Sequence, residues 1–306
     1  MFDHFQEVSG EPADEAERLD RALDDRDWAE LAPGSITSRF AAPSGELAVV
    51  SLGDPRHPRV VLVPGVTGSK EDFTLMLPVL AEAGYFVQSF DMAGQYQSGE
   101  AGPPAGRRYD YDLFVDDLVA FLEDGGPAHL LGYSFAGTVA QLVVVERPDL
   151  VRSLTLLATP PEPGNAFRSV RGGLGLLSIV ATAGITAYLM RWGIVTNKNH
   201  VPPLRLDFVR HRFDYTSERA HVDIIRLMKR TPDLRDAVAS SPIPKLVAVG
   251  SHDLWPTELH AAFADRIGAR LVVYPTGHSP CETAPHQLSR DMLALFEAVG
   301  AERSGS

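Results

Sequence analysis

Short apolar runs alternate along this chain with segments whose apolar residues recur every three or four positions. Residues 36–42 and 46–52 predict two opening strands, because the turn Pro43-Ser44-Gly45 separates them. Six further strands are predicted at residues 59–63, 85–90, 128–131, 153–158, 245–249 and 270–274. Runs so rich in valine and leucine are typical of strands that are covered on both faces.

Helical periodicity occupies most of the intervals between these strands. In residues 111–123 the apolar side chains fall on one helical face, and Gly125-Gly126 follows the end of the pattern. Other helices are predicted at residues 69–83, 135–146 and 257–267, and a last one aligns Leu288, Met292, Leu295 and Val299. Because strand–helix–strand units connect parallel strands, the sequence predicts an α/β fold with a mostly parallel central sheet flanked by helices.

This alternation breaks between Pro160 and Pro244, where helical stretches such as residues 218–230 replace the strands. The break predicts a helical cap, residues 161–243, inserted after the sixth strand. The core then comprises residues 36–160 and 244–300. An acidic helical extension is predicted for residues 1–35, with its helix at residues 12–31.

Composition and charge narrow the classes of function. The 306 residues carry a formal net charge of −12 and contain no basic stretch, so the chain has no electrostatic reason to bind nucleic acid. A single cysteine, Cys281, excludes an internal disulfide. The N-terminus lacks the basic and apolar regions of a signal peptide, so we expect a cytoplasmic protein.

One uncharged run, residues 172–190, is long enough to be considered as a membrane span. Glycine, serine and threonine interrupt it, and the segments around it are typical of water-soluble domains. We therefore interpret residues 174–190 as the apolar roof of a cleft in the cap, and we expect no stable membrane insertion.

The candidate nucleophile lies in Gly132-Tyr133-Ser134-Phe135-Ala136-Gly137, between an apolar strand and an apolar helix. A serine on such a tight turn is exposed at the carboxyl edge of the sheet, and it requires small residues two positions before and after it. Gly132 and Ala136 meet that requirement. The free N–H groups at the start of the helix face the charge that develops when Ser134 attacks a carbonyl.

A serine hydroxyl needs a base, and His278 is the favoured one of ten histidines. It lies in Pro275-Thr276-Gly277-His278-Ser279-Pro280, where a loop should follow the last strand. His252 precedes a better candidate for the acid. His260 and His286 are less favoured because they sit on predicted helices.

The base in turn needs a carboxylate to fix its tautomer. Asp253 follows the strand 245–249 in a short loop, which positions a side chain well. Glu162, just after the strand 153–158, is the rival acid, but its Pro-rich loop positions a side chain less well, so Asp253 is preferred.

Two backbone N–H groups are predicted to hold the oxyanion, those of Val66 and Phe135. Val66 lies in the loop Val63-Pro64-Gly65-Val66-Thr67-Gly68 after the third strand, and Phe135 follows the nucleophile. No His-Glu-x-x-His or Cys-x-x-Cys spacing occurs, so no metal site is predicted.

Together these residues resemble the α/β-hydrolase superfamily in its capped esterase, lipase and haloperoxidase-like branch, from about residue 46 to residue 299. The loop that begins at Asp91-Met92-Ala93-Gly94 is similar to the family's loop after its next strand. Pro64 departs from the family's histidine at that position, and Gln95-Tyr96-Gln97 makes the Asp91 loop bulkier. The resemblance implies the α/β-hydrolase fold and acyl-bond hydrolysis without a cofactor.

The resulting hypothesis is a serine hydrolase with catalytic Ser134, His278 and Asp253, whose partner is a small hydrophobic ester or related acyl substrate. Three alternatives stay open, namely carbon–carbon bond hydrolysis, cofactor-free perhydrolysis and ligand binding without catalysis.

Overall fold

The computed structural model describes residues 14–170, 181–197 and 201–304. Its strands are β1 (Ile36–Ala42), β2 (Gly45–Leu52), β3 (Arg59–Val63), β4 (Phe86–Phe90), β5 (Ala128–Tyr133), β6 (Val151–Leu157), β7 (Lys245–Gly250) and β8 (Arg270–Tyr274). They form one sheet in the order β1-β2-β4-β3-β5-β6-β7-β8. Strand β2 runs antiparallel to β1 and β4, and all other pairs are parallel. The predicted mostly parallel sheet is confirmed.

Helices connect the strands and cover both faces of the sheet. The core helices are α1 (Glu15–Arg21), α2 (Met76–Glu82), α3 (Tyr111–Gly125), α4 (Phe135–Glu146), α9 (Thr257–Ile267), α10 (Pro280–Thr283) and α11 (Pro285–Ser304). Short 3-10 helices lie at Lys70–Phe73, Tyr96–Ser98 and Pro148–Leu150. The helix predicted at residues 69–83 was therefore wrong in extent, because a 3-10 turn precedes the shorter α2.

Burial on both faces explains the uninterrupted apolar runs. In β3, Val61 and Val63 contact one apolar cluster, whereas Val60 and Leu62 contact the other. Successive side chains of a strand point to opposite faces, so a central strand with helices on both sides needs apolar residues at every position. All six residues of β5 are buried, which holds the strand immediately before Ser134 in a rigid position.

The segment predicted to be a cap follows β6, the sixth strand along the chain. Its described helices are α5 (Ala183–Val195), α6 (Pro203–Tyr215), α7 (Glu218–Met228) and α8 (Arg235–Ser240). Part of the uncharged run, residues 172–180, lies outside the described residues, and most of the remainder forms α5. Across the described ranges, no helix combines the length and the apolar character that a membrane crossing requires.

The N-terminal segment is less helical than predicted. Helix α1 covers Glu15–Arg21 only, so the prediction of a helix over residues 12–31 was wrong in extent. Asp25 and Asp27 accept hydrogen bonds from the backbone N–H groups of Arg26 and Ala29, which competes with helix formation. The segment packs against α11, where Asp20 accepts the N–H groups of His286 and Gln287.

Candidate active site

Ser134 lies on a strained turn between β5 and α4. Its φ of 52° and ψ of −117° place a non-glycine residue in a backbone region that costs about 1–3 kcal/mol. The surrounding backbone holds it there, since its N–H donates to the carbonyl of Leu157 at 2.8 Å and its carbonyl accepts from Gly137 at 2.9 Å. The turn thus fixes the serine before any substrate binds.

Small residues beside this turn are a steric requirement. A Cβ added at Gly132 would lie 2.5 Å from the carbonyl oxygen of Ala136, and one at Gly137 would lie 1.9 Å from Oγ1 of Thr159. Both distances are too short for a carbon contact. The sequence motif is therefore explained by close packing of strand β5, helix α4 and the segment after β6.

The structure brings Ser134, His278 and Asp253 together. The Oγ of Ser134 lies 3.3 Å from Nε2 of His278, and Nδ1 of His278 hydrogen-bonds Oδ1 of Asp253. Asp253 follows β7 and His278 follows β8, so both loops leave the carboxyl edge of the sheet at which Ser134 lies. A chain of hydrogen bonds thus runs from hydroxyl to imidazole to carboxylate.

The carboxylate of Asp253 is fully buried and accepts several donors. Its Oδ1 receives the N–H of Leu254 at 2.7 Å, and its Oδ2 lies 2.8 Å from Nε2 of His260. Burial alone would raise the pKa of Asp253. The charge of His278 and the hydrogen bonds of His260 and His278 outweigh burial, so the pKa lies well below its usual value. Asp253 is therefore ionised at neutral pH.

The rival acid and two of the less favoured histidines lie in other contacts. Glu162 hydrogen-bonds the hydroxyl of Ser169 rather than His278. His252 contacts Ser251, and His286 contacts Asp20. The structure therefore places Asp253, and not Glu162, against the imidazole of His278.

Sequence reasoning set His260 aside because it sits on a helix. It does lie in the first turn of α9, seven residues after Asp253, and the turn faces back toward the Asp253 loop. One signal could have identified His260: it is a polar residue in the first helical turn after the loop of the predicted acid.

The predicted oxyanion donors lie in two segments beside Ser134. The loop after β3 turns at Gly65–Gly68, with a hydrogen bond from the N–H of Gly68 to the carbonyl of Gly65 at 3.0 Å. A Cβ at Gly65 would be 3.0 Å from Cβ of Ser134, so this loop passes directly next to the serine. Phe135 is the first residue of α4, where backbone N–H groups lack acceptors within the helix. The roles of Val66 and Phe135 as donors stay predictions.

A buried ionic group, which we call the Asp72 cluster, joins the cap to this edge. Asp72 contacts Arg205 at 2.9 Å and Arg212 at 2.6 Å, both on α6, and Arg205 also pairs with Glu282 on α10. Burial would raise the pKa of Asp72, but the charges of Arg212 and Arg205 lower it. The cluster was not predicted, because its members lie up to 210 residues apart in the sequence.

Cys281 and the grouping of possible metal ligands were also compared with the chemistry that each could support. The thiol of Cys281 is fully buried, and burial raises its pKa well above the usual value, so it stays protonated. Among the residues that the structure describes, no three His, Cys, Asp or Glu side chains are grouped as metal ligands.

A serine at the turn between a central parallel strand and a helix, with histidine and aspartate loops at the same sheet edge, defines a class of α/β proteins with a nucleophile elbow. Residues 58–175 match the family model described as alpha/beta hydrolase fold. The chain has the α/β-hydrolase fold, and residues 58–175 are similar to that family.

Individual relatives share only part of the chain. Epoxide hydrolase A of Mycobacterium tuberculosis is 33% identical over 145 residues, which are 44% of this chain and 44% of that protein. The serine hydrolase-like protein of Homo sapiens is 31% identical over 133 residues, 42% of this chain and 64% of that protein. The chain thus spans less than two thirds of the length of each. An esterase from Exiguobacterium antarcticum has a similar solved structure, with a TM-score of 0.72 and 18% identity over 86% of this chain and 100% of that one.

Proposed function

We propose that this chain is a serine hydrolase that cleaves a carboxylic ester or related acyl bond of a small hydrophobic substrate. The observation that carries the proposal is the hydrogen-bonded series Ser134, His278 and Asp253 at the sheet edge. A strained turn, an ionised buried carboxylate and a helix N-terminus support the same chemistry. The similarity to an esterase of the same fold agrees with it.

In the proposed cycle, His278 accepts the proton of Ser134 through Nε2 while Oγ attacks the substrate carbonyl. Asp253 holds the Nδ1–H tautomer and stabilises the imidazolium that forms. The N–H groups of Val66 and Phe135 bind the oxyanion. His278 then protonates the leaving alcohol, and it next activates a water molecule that releases the acid from Ser134. This chain's own groups carry every step.

The identity of the nucleophile favours acyl transfer over the epoxide opening named in one relative. A carboxylate nucleophile that opens an epoxide forms an ester, which water can cleave. A serine that did so would form an alkyl ether, which water does not cleave under these conditions. Ser134 is therefore suited to a carbonyl substrate, whose acyl-enzyme is an ester.

A fluorophosphonate probe tests the nucleophile. We expect the probe to label the wild-type chain at Ser134, because His278 activates the hydroxyl and phosphonylation resembles the acylation step. Ser134→Ala should abolish labelling, whereas Ser240→Ala, which changes an exposed hydroxyl on α8, should keep it. Mass spectrometry of the labelled peptide gives the site. An unlabelled wild-type chain would favour a protein that binds ligands without catalysis.

Apolar packing between helix α5 and the core is the basis for the predicted substrate preference. Ala187 of α5 belongs to the same buried apolar cluster as Phe135 and Trp255, and Met190 packs against it. We therefore expect kcat/KM for p-nitrophenyl esters to rise between about 10- and 200-fold from acetate to hexanoate, since full burial of the four added methylenes at about 0.8 kcal/mol each gives the upper value and partial burial gives less. Stopped-time absorbance assays of the ester series measure this ratio. A strict preference for acetate would contradict the apolar pocket.

A further inference from the structure

The carboxylate of Asp253 is shared by two histidines. Its Oδ1 hydrogen-bonds Nδ1 of His278, the proposed base, and its Oδ2 lies 2.8 Å from Nε2 of His260. The serine hydrolase cycle uses only the first of these contacts. The second needs an explanation, because His260 is completely buried, and a polar ring in that position must be satisfied to be tolerated.

The surroundings of His260 indicate which tautomer it adopts. Nε2 faces a carboxylate that is ionised, so it carries a proton and donates. Within the described part of the chain, no protein group hydrogen-bonds Nδ1, which is buried. A buried lone pair without a partner is tolerated better than a buried N–H without one, so Nε2 is the nitrogen that carries the proton. His260 therefore supplies a donor to Oδ2 of Asp253.

Packing holds this donor in place. Trp255 is buried, and its ring is nearly perpendicular to that of His260, with 6.2 Å between the centroids; its centroid also lies 5.6 Å from that of His278. The indole N–H of Trp255 donates to the carbonyl of Ala166 at 2.6 Å. Trp255 thus packs beside both rings, and the buried His260 presents its Nε2 to Oδ2 from helix α9.

The orientation of Asp253 matters because rotation about its last side-chain torsion is otherwise soft. One oxygen must lie in the plane of the His278 ring for Nδ1–H to be held. Leu254 donates to the same oxygen, and only His260 is seen to donate to the other within the described residues. We propose that His260 is a positioning residue that locks the rotation of the Asp253 carboxylate and thereby fixes the Nδ1–H tautomer of His278.

The inference rests on the proposed function, and a pair of amide variants tests it. The side-chain nitrogen of glutamine can reach the place of Nε2, whereas that of asparagine is too short. We expect His260→Asn to lower kcat about 10- to 100-fold, the range of a hydrogen bond to a charged group, with KM changed less than about twofold. His260→Gln should keep kcat within about fivefold of wild type.

The matched control is His286→Asn. His286 also hydrogen-bonds a buried aspartate, Asp20, but it lies on α11 in contact with the N-terminal segment. This variant should keep the wild-type kcat. Equal losses of kcat in His260→Asn and His260→Gln would overturn the inference, because they would assign the effect to ring packing rather than to the donated hydrogen bond.

Histidine-selective ¹⁵N NMR gives a readout that does not depend on turnover. In the pH range where His278 is neutral, wild type and His260→Gln should show its Nδ1–H tautomer alone, and His260→Asn should show a mixture. An unchanged tautomer in His260→Asn would overturn the inference even if kcat fell. If wild type hydrolysed no ester, the proposed function would fail, while the tautomer comparison would still decide the role of His260.

Discussion

Ser134→Ala is expected to lower kcat for ester hydrolysis by about 10⁴- to 10⁶-fold, with KM changed only a few-fold. The loss is large because the serine, the histidine and the aspartate act as a unit, and removal of the nucleophile leaves only binding and the oxyanion donors. Steady-state kinetics with a p-nitrophenyl ester measure both constants. KM should persist because the substituted methyl group occupies the same turn.

The fold should survive this substitution, since Ser134 has no side-chain partner other than His278 among the contacts described. Ser240→Ala serves as the matched control, because it removes an exposed hydroxyl far along the chain from the site. Circular dichroism should superimpose for all three proteins. A folded Ser134→Ala enzyme that kept more than about a tenth of the wild-type kcat would refute the assignment of the nucleophile.

Asp72→Asn is expected to lower the free energy of unfolding by about 3–5 kcal/mol, the cost of removing one partner from a buried ionic group. Arg212 would lose its only carboxylate in the Asp72 cluster, whereas Arg205 would keep Glu282. Urea denaturation followed by tryptophan fluorescence measures the change. The matched control is Asp149→Asn, which removes an exposed partner of Arg147 and should leave the midpoint nearly unchanged.

The difference between wild type and Asp72→Asn should also depend on pH. The arginine charges lower the pKa of Asp72 in the folded state, so its contribution to stability is complete above its unfolded pKa. That contribution disappears as the pH falls through the lowered folded pKa. The two denaturation curves should therefore converge in acid, and a constant difference across pH would argue against a charge effect.

Much of the sheet could be predicted because its residues carry a local signal. The uninterrupted apolar run of β3 requires a sheet that is covered on both faces. The helical periodicity between such runs predicts that helices provide the cover. The neighbourhood of Ser134 was also predictable, since an apolar strand and an apolar helix meet at a serine flanked by the small residues Gly132 and Ala136. His278 and Asp253 could be named because each follows a strand that ends at the same edge.

The remaining features depend on contacts between distant residues. Asp72 and Arg205 are 133 positions apart, and no periodicity links them. The sequence around His260 predicts a helix, but it does not indicate that the His260 ring faces the Asp253 loop. In residues 12–31 the apolar pattern favoured a helix, but the aspartates near Arg26 bind their own backbone instead.

The Asp72 cluster limits the exchange of helical insertions between enzymes of this architecture. Helix α6 supplies the two guanidinium groups that neutralise a carboxylate belonging to the scaffold, so the insertion is not a portable module. A transplanted insertion that lacks Arg205 and Arg212 would leave the buried Asp72 without a positive charge beside it. A chimera should therefore either transplant both arginines or replace Asp72 and Glu282 with apolar residues of similar volume in the same step.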